Sequence, residues 1–241
     1  MAVPVSNPFS TRYTRPGCIH PLDGGGRRVD VDGLLERLQR LGGTAAIVGP
    51  HGSGKSTLLA HLAEAIERRG GNASRIRLQA SRDAWTAWRA IRQSAAGATI
   101  CIDSWERIGL ATRGLLRVAA CLSGCGLLVT SHRWAGMPEL TRCATSAKLL
   151  RAIVGSLPDH VCWHGTLIHD ADIEAAFAIH GGNLRESLYE LYDRFEARGK
   201  RIHGASGAGP ADRDGSDGGR HGIHESADGF SYAGAPERNL G

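Results

Sequence analysis

Gly49-Pro50-His51-Gly52-Ser53-Gly54-Lys55-Ser56 stands between the short apolar run at 44–48 and a segment carrying Leu58, Leu59, Leu62 and Ile66 in helical phase. The order strand, glycine-rich turn, helix is the setting that the pattern G-x-x-x-x-G-K-[ST] requires. Glycines let the backbone curl so that successive N–H groups point inward, the helix N-terminus adds a partial positive charge, and the lysine adds a full one. Phosphate groups are what such a loop takes. Gly49, Pro50, His51, Gly52, Ser53, Gly54, Lys55, Ser56 and the adjoining Thr57 are therefore the expected binding residues, with the Ser56 hydroxyl offered to a magnesium ion. A glycine-rich turn with a chance lysine is the bland alternative, and eight matching positions in the right setting disfavour it.

The same alternation continues on both sides of the loop. Val31, Leu34, Leu35, Leu38 and Leu41 mark a helix stopped by Gly42-Gly43, and Gly70-Gly71 stops the helix that follows the loop. Residues 75–79 alternate polar and apolar, as an edge strand does, whereas 99–102 and 126–129 are continuous apolar runs that suit strands buried on both faces. Residues 105–122 read as a helix between them. A fifth strand is expected within 140–145, ahead of a helix reaching about Leu157. Parallel strands need crossover helices, so the chain is expected to be α/β, with a parallel sheet sandwiched by helices.

A phosphate site of this kind needs a carboxylate near the ion, and Ile100-Cys101-Ile102-Asp103 brings one to the end of a buried strand. Asp103 is the second expected magnesium ligand; a helix-capping aspartate is its plain alternative. Hydrolysis also needs a group to deprotonate water. Ser104 follows Asp103, and Glu106 is the nearest acid. At the end of the next strand, Thr130 or Ser131 is placed to sense a terminal phosphate or hold the attacking water, each weighed against an ordinary polar strand end. Arg185 opens the last helix, where it could neutralise charge developing on phosphate or be an exposed first-turn arginine. Lys55, Asp103, Glu106, Thr130, Ser131 and Arg185 make up the candidate catalytic set.

Outside this core the signals change. Residues 1–29 carry four prolines and the run Gly24-Gly25-Gly26, and read as an extended arm. From Pro158 strand signals stop: Asp170 is expected to cap one helix, and Asn183 with Glu186 begins another whose Leu184, Leu188, Leu191, Tyr192 and Phe195 form one stripe. Residues 200–241 hold five basic and six acidic groups in no period and read as a disordered tail. The organisation expected is an arm at 1–29, a core at 30–157, a small helical unit at 158–199 and the tail.

The 241 residues are 41% hydrophobic and 22% charged, ordinary globular usage that excludes disorder throughout. A net charge of +5 permits contact with nucleic acid without arguing for it. Six irregularly spaced cysteines and no leader-like start point to a reduced, cytoplasmic protein, and no apolar run is long enough to span a membrane. Cys18 with His20, Cys121 with Cys125, and Cys162 with His164 form no four-ligand set, so no zinc is expected. Trp85 and Trp88 among Arg82, Arg89 and Arg92 read as helix packing before they read as a stacking surface for single strands.

Together these motifs resemble the AAA+ branch of P-loop ATPases: Walker A at 49–56, Walker B at 100–103, a polar sensor-like strand end at 130–131, and Gly-Gly-Asn-Leu-Arg-Glu at 181–186 similar to the second sensor of origin-recognition and secretion-type members. Asn7-Pro8-Phe9-Ser10 looks like the segment preceding the core in the secretion-type group. Asn7 to Tyr13, Val48 to Thr57, Leu127 to Arg133 and Gly181 to Glu186 also look like a group of small bacterial P-loop proteins. The resemblance implies a five-stranded sheet of order 5-1-4-3-2, a helical lid at 158–199 with adenine between lid and core, and ATP and Mg2+ as ligands. It implies an ATPase coupled to a protein or DNA partner. Serine in place of glutamate after Asp103 points to slow hydrolysis. Two other readings stay open, a small-molecule or nucleotide kinase and an ATP-binding switch without turnover; no N-K-x-D stands where a GTPase would need it.

Overall fold

The computed structural model describes residues 6–206. Five strands, β1 (Thr44–Val48), β2 (Ala73–Arg77), β3 (Thr99–Asp103), β4 (Gly126–Ser131) and β5 (Glu139–Arg142), form one sheet of order β2-β3-β4-β1-β5. All four pairings are parallel. This is the order 5-1-4-3-2 expected above. The fifth strand begins one residue earlier than the expected window, and its register with β1 shifts between Ala46 and Ile47.

Strand residues alternate between two cores because successive side chains leave opposite faces of a sheet. Ala46, Val48, Ile100, Ile102, Leu127 and Val129 face α4 (Ala84–Gln93) and α5 (Leu110–Leu122). Ala45, Ile47, Cys101 and Leu128 face α2 (Val31–Arg40) and α3 (Lys55–Arg68). Continuous apolar runs in β1, β3 and β4 are thus what burial on both faces demands. Edge strand β2 exposes its arginines.

The expected single helix at 105–122 is broken. Ser104 is in the left-handed region at φ 68°, a one-turn 3-10 helix covers Trp105–Arg107, and α5 starts only at Leu110. Trp105 and Ile108 are both buried, and seating two large side chains from so short a stretch takes the chain out of helical phase.

Helices α6 (Ala147–Gly155), α7 (His160–Trp163), α8 (Asp170–Ile179) and α9 (Leu184–Ser206) follow β5 and enclose a third core. Two expectations are corrected here. The cap of α8 is not Asp170, which is its first residue; Asp172 reaches back to accept the His169 N–H at 2.9 Å. Helical structure also passes Gly199 and runs to Ser206, while 207–241 lies outside the described residues. Asn183 does start α9, its side-chain oxygen accepting from the N–H groups of Arg185 and Glu186.

The N-terminal arm is not free either. It contains a one-turn helix, α1 (Thr11–Thr14), and a short antiparallel bridge between Leu22 and Arg28. Phe9 is buried edge-on against Trp163 and Phe195, with ring centroids 5.2 and 6.0 Å away. Asn7 fastens the approach by donating to Tyr192 O and Glu196 Oε1. The arm therefore supplies a core side chain to the C-terminal helices.

Candidate functional site

The loop between β1 and α3 sits at the C-terminal ends of the strands. Gly54 precedes α3 with φ 83°, so the loop enters the helix through a left-handed residue. Gly52, at φ 69°, abuts the start of α9: a Cβ there would collide with the Asn183 side chain. The loop and the start of α9 are thus in contact through a position where only glycine fits.

Lys55 is 7% exposed and folds back over its own loop, donating to Gly49 O at 2.7 Å and Pro50 O at 2.5 Å. Burial holds its ammonium below the ordinary lysine value, while Glu106 and Asp103 pull the other way. Burial also pushes the nearby Cys143 thiol up to about 11, so it stands neutral beside the lysine. Ser53 Oγ donates to Pro50 O at 2.9 Å and stiffens the turn.

Ser56 Oγ lies 3.0 and 2.9 Å from the two carboxylate oxygens of Asp103. Thr130 Oγ1 donates to Asp103 Oδ1 at 2.6 Å and accepts the Ser104 N–H at 2.9 Å, so it fixes both the carboxylate and the left-handed residue after it. Of the two strand-end candidates, Thr130 is the one whose hydroxyl reaches Asp103. Ser131 is buried in register with Val48 and gives its carbonyl to the Gly49 N–H. Arg77, from the neighbouring strand end, stands 3.9 Å from Asp103.

Glu106 comes to the same place by way of the 3-10 turn. Its Oε1 is 2.7 Å from His132 Nε2, and its Oε2 is buried with no hydrogen-bond partner among the described residues. His132 in turn lies 3.3 Å from Lys55 Nζ through Nδ1 and stacks near His51 at 3.5 Å between ring centroids. The candidate set expected from the sequence contains neither His132 nor Arg77. His132 directly follows β4, but its partner Glu106 is fixed by the break after Ser104, which has no periodic signal in the sequence.

A cavity of about 570 Å3 opens over the loop. Its walls include Ile19 and Leu22 of the arm, Leu149 and Ile153 of α6, and Leu188 of α9; Arg185 and Tyr189 stand on the same wall. A larger one, about 1070 Å3, opens at the opposite ends of the strands, where Gly43, Thr99 and Gly126 line it. The polar side chains converge only on the first. Trp88 packs against the core and Trp85 is exposed, neither lining that cavity.

Among the solved structures that align with part of the chain are those of three AAA-type proteins, RuvB, PCH-2 and Trip13. A Thermotoga maritima RuvB aligns with a TM-score of 0.44 at 15% identity, over 71% of this chain and 67% of that one. Caenorhabditis elegans PCH-2 aligns with 0.40 at 10% identity, over 68% and 64%. A Rhizobiales Trip13 aligns with 0.34 at 15% identity, over 60% of each. No protein-family profile and no curated protein matches the chain.

The donor set around Ser56 and Asp103 consists of one hydroxyl and one carboxylate, hard oxygen atoms placed side by side. Magnesium takes such oxygens together with phosphate and water, so the residues present fit that ion. Among the described residues, no group of three or more histidine, cysteine or acidic side chains is placed to hold a metal by itself, and no helix is long and apolar enough to cross a membrane.

Proposed function

We propose that the chain is an AAA+-like P-loop module that binds Mg-ATP and hydrolyses it slowly, with its nucleotide state read by a protein or DNA partner. One observation carries this reading: Ser56 and Asp103 meet within hydrogen-bond distance under a loop whose lysine is buried and, among the described residues, pairs with no carboxylate. The motifs quoted from the sequence and the strand order support the same assignment.

Magnesium bound by Ser56 and Asp103 would neutralise charge on the outer phosphates. The rest falls to the chain. Backbone N–H groups of 51–56 face the phosphates, and Lys55 exchanges its carbonyl partners for phosphate oxygens, a stronger charge-assisted bond. Thr130 keeps Asp103 from rotating. Glu106 accepts through Oε2 a proton from water as the water oxygen bonds to the terminal phosphorus and the bond to the leaving ADP oxygen breaks; the proton then passes to solvent. Arg185 adds positive charge from the start of α9, and residues 158–199 act as the lid over the base.

Phosphate release from ATP, measured with and without Mg2+ and with DNA added, tests the proposal. A second reading has its own support: Arg15, Arg77, Arg107, Arg142 and Arg185 all line the cavity, the basic wall that an anionic phosphoryl acceptor would need. Turnover that appears only with an acceptor, and not with ATP alone, would replace the ATPase by a kinase. Tight Mg-ATP binding with neither turnover leaves the switch module.

A further inference from the structure

His132 stands between the two groups given opposite tasks above. Its Nδ1 is 3.3 Å from Lys55 Nζ, and its Nε2 is 2.7 Å from Glu106 Oε1. An ammonium only donates, so Nδ1 accepts; the ring is then neutral, and its one proton sits on Nε2 and is donated to Glu106. The tautomer follows from the partners. Burial is the main cause holding the ring below the ordinary imidazole value; the Lys55 charge comes next and His51 acts in the same direction, while Glu106 and a hydrogen bond with the Gly49 backbone oppose them. With Glu106 Oε1 occupied by the ring, Oε2 remains as the buried acceptor without a partner among the described residues.

We propose that His132 is a positioning residue that tells Glu106 whether the loop holds phosphate: when a phosphate draws Lys55 off Nδ1, the ring takes up a proton there and holds Glu106 as an ion pair. The proposal rests on the reading of Lys55 as the phosphate ligand. One proton enters from solvent at Nδ1 on binding and returns to solvent on release, and no bond of the nucleotide changes in that step. Removing the lysine charge and adding phosphate charge both favour the protonated ring. Glu106 is thereby fixed by a charge-assisted bond only while nucleotide is present, with Oε2 left to receive the water proton. The titratable groups facing the ring are Lys55 from α3, His51 from the loop and Glu106 from the 3-10 turn, with the Gly49 backbone beside them.

Nitrogen-15 histidine NMR on the full chain, with His132 assigned by loss of its signals in H132Q, reads the ring directly. In the free protein we expect the Nε2–H tautomer, and on saturation with a non-hydrolysable Mg-ATP analogue a rise in its titration midpoint of one unit or more. By linkage the analogue then binds about tenfold more tightly to the protonated ring than to the neutral one. In turnover, H132A is expected to lower kcat at least tenfold with KM within threefold. H132Q keeps an amide donor for Glu106 and should recover most of that loss, but without the imidazole limb of the pH profile. A ring whose titration ignores the analogue, or H132A turning over like the parent, overturns the coupling while nucleotide binding stands. Failure of the parent to bind Mg-ATP, or full affinity in K55A, overturns the Lys55 reading instead.

Discussion

Ser56 and Asp103 stand 47 residues apart in the chain, yet the Ser56 hydroxyl lies 2.9 Å from an Asp103 carboxylate oxygen. The contact exists because α3 begins where β1 ends and β3 ends at the same level, with β4 between the two strands. A hydroxyl from a helix start and a carboxylate from a strand end are thereby brought together by sheet topology alone.

Lys55 is the first residue to test against that arrangement. Its ammonium is buried, which costs desolvation, and it is held by two carbonyl oxygens. Lys55→Ala should leave thermal stability little changed, since the lost hydrogen bonds are offset by removing a desolvated charge. ATP affinity should fall roughly 100-fold, about 2.7 kcal/mol. Calorimetric titration with Mg-ATP checks it, and retained tight binding would remove the central assignment.

Thr130 serves both Asp103 and Ser104, and the two roles separate by substitution. Thr130→Val keeps the shape but leaves the Ser104 N–H, anchored at φ 68°, without its acceptor. An unsatisfied buried donor costs about 1–3 kcal/mol. Thermal unfolding should shift down accordingly, and dependence of nucleotide binding on Mg2+ should weaken as Asp103 loosens. Thr130→Ser retains the hydroxyl and should restore both.

Much of this arrangement is legible in the sequence. The loop 49–56 and Asp103 are local patterns attached to strands whose apolar runs announce burial on both faces, so their meeting follows once the sheet is parallel. Glu106, His132 and Phe9 differ in kind. Glu106 reaches the site because the chain leaves helical phase at Ser104 to bury Trp105 and Ile108, and Phe9 is a core residue within a stretch of proline and glycine. Neither fact has a period; each depends on a cavity that other elements create.

Asp172 carries a prediction about pH. It is 8% exposed and accepts from Arg198 and Arg194 as well as from the His169 backbone N–H. The Arg198 guanidinium leads in holding its carboxyl well below the ordinary range. A carboxyl lowered in the folded state adds stability that is fully present above its unfolded value near 4 and is lost as pH falls below it. Asp172→Asn should cost about 3 kcal/mol at neutral pH, because Arg198 loses its charge partner and Arg194 is left with Glu190 alone. The gap between variant and parent should then be unchanged from pH 7 to about 4 and begin to narrow below it, as thermal melts at pH 7, 4 and 3 would record.

Gly52 tests whether the loop and the start of α9 act together. Its φ of 69° is strained for any other residue, and a Cβ there would run into the Asn183 side chain. Gly52→Ala therefore combines two penalties, a left-handed backbone worth roughly 1–2 kcal/mol and a collision that must push α9 or the loop aside. Mg-ATP affinity should fall at least tenfold. Pairing it with Asn183→Gly removes the collision but keeps the strained backbone, and glycine substitutes for the N-cap at a cost of only a few tenths of a kcal/mol. Partial recovery is the expected result. If the double variant binds no better than Gly52→Ala, backbone strain alone accounts for the loss, and the contact between loop and α9 has no part in nucleotide binding.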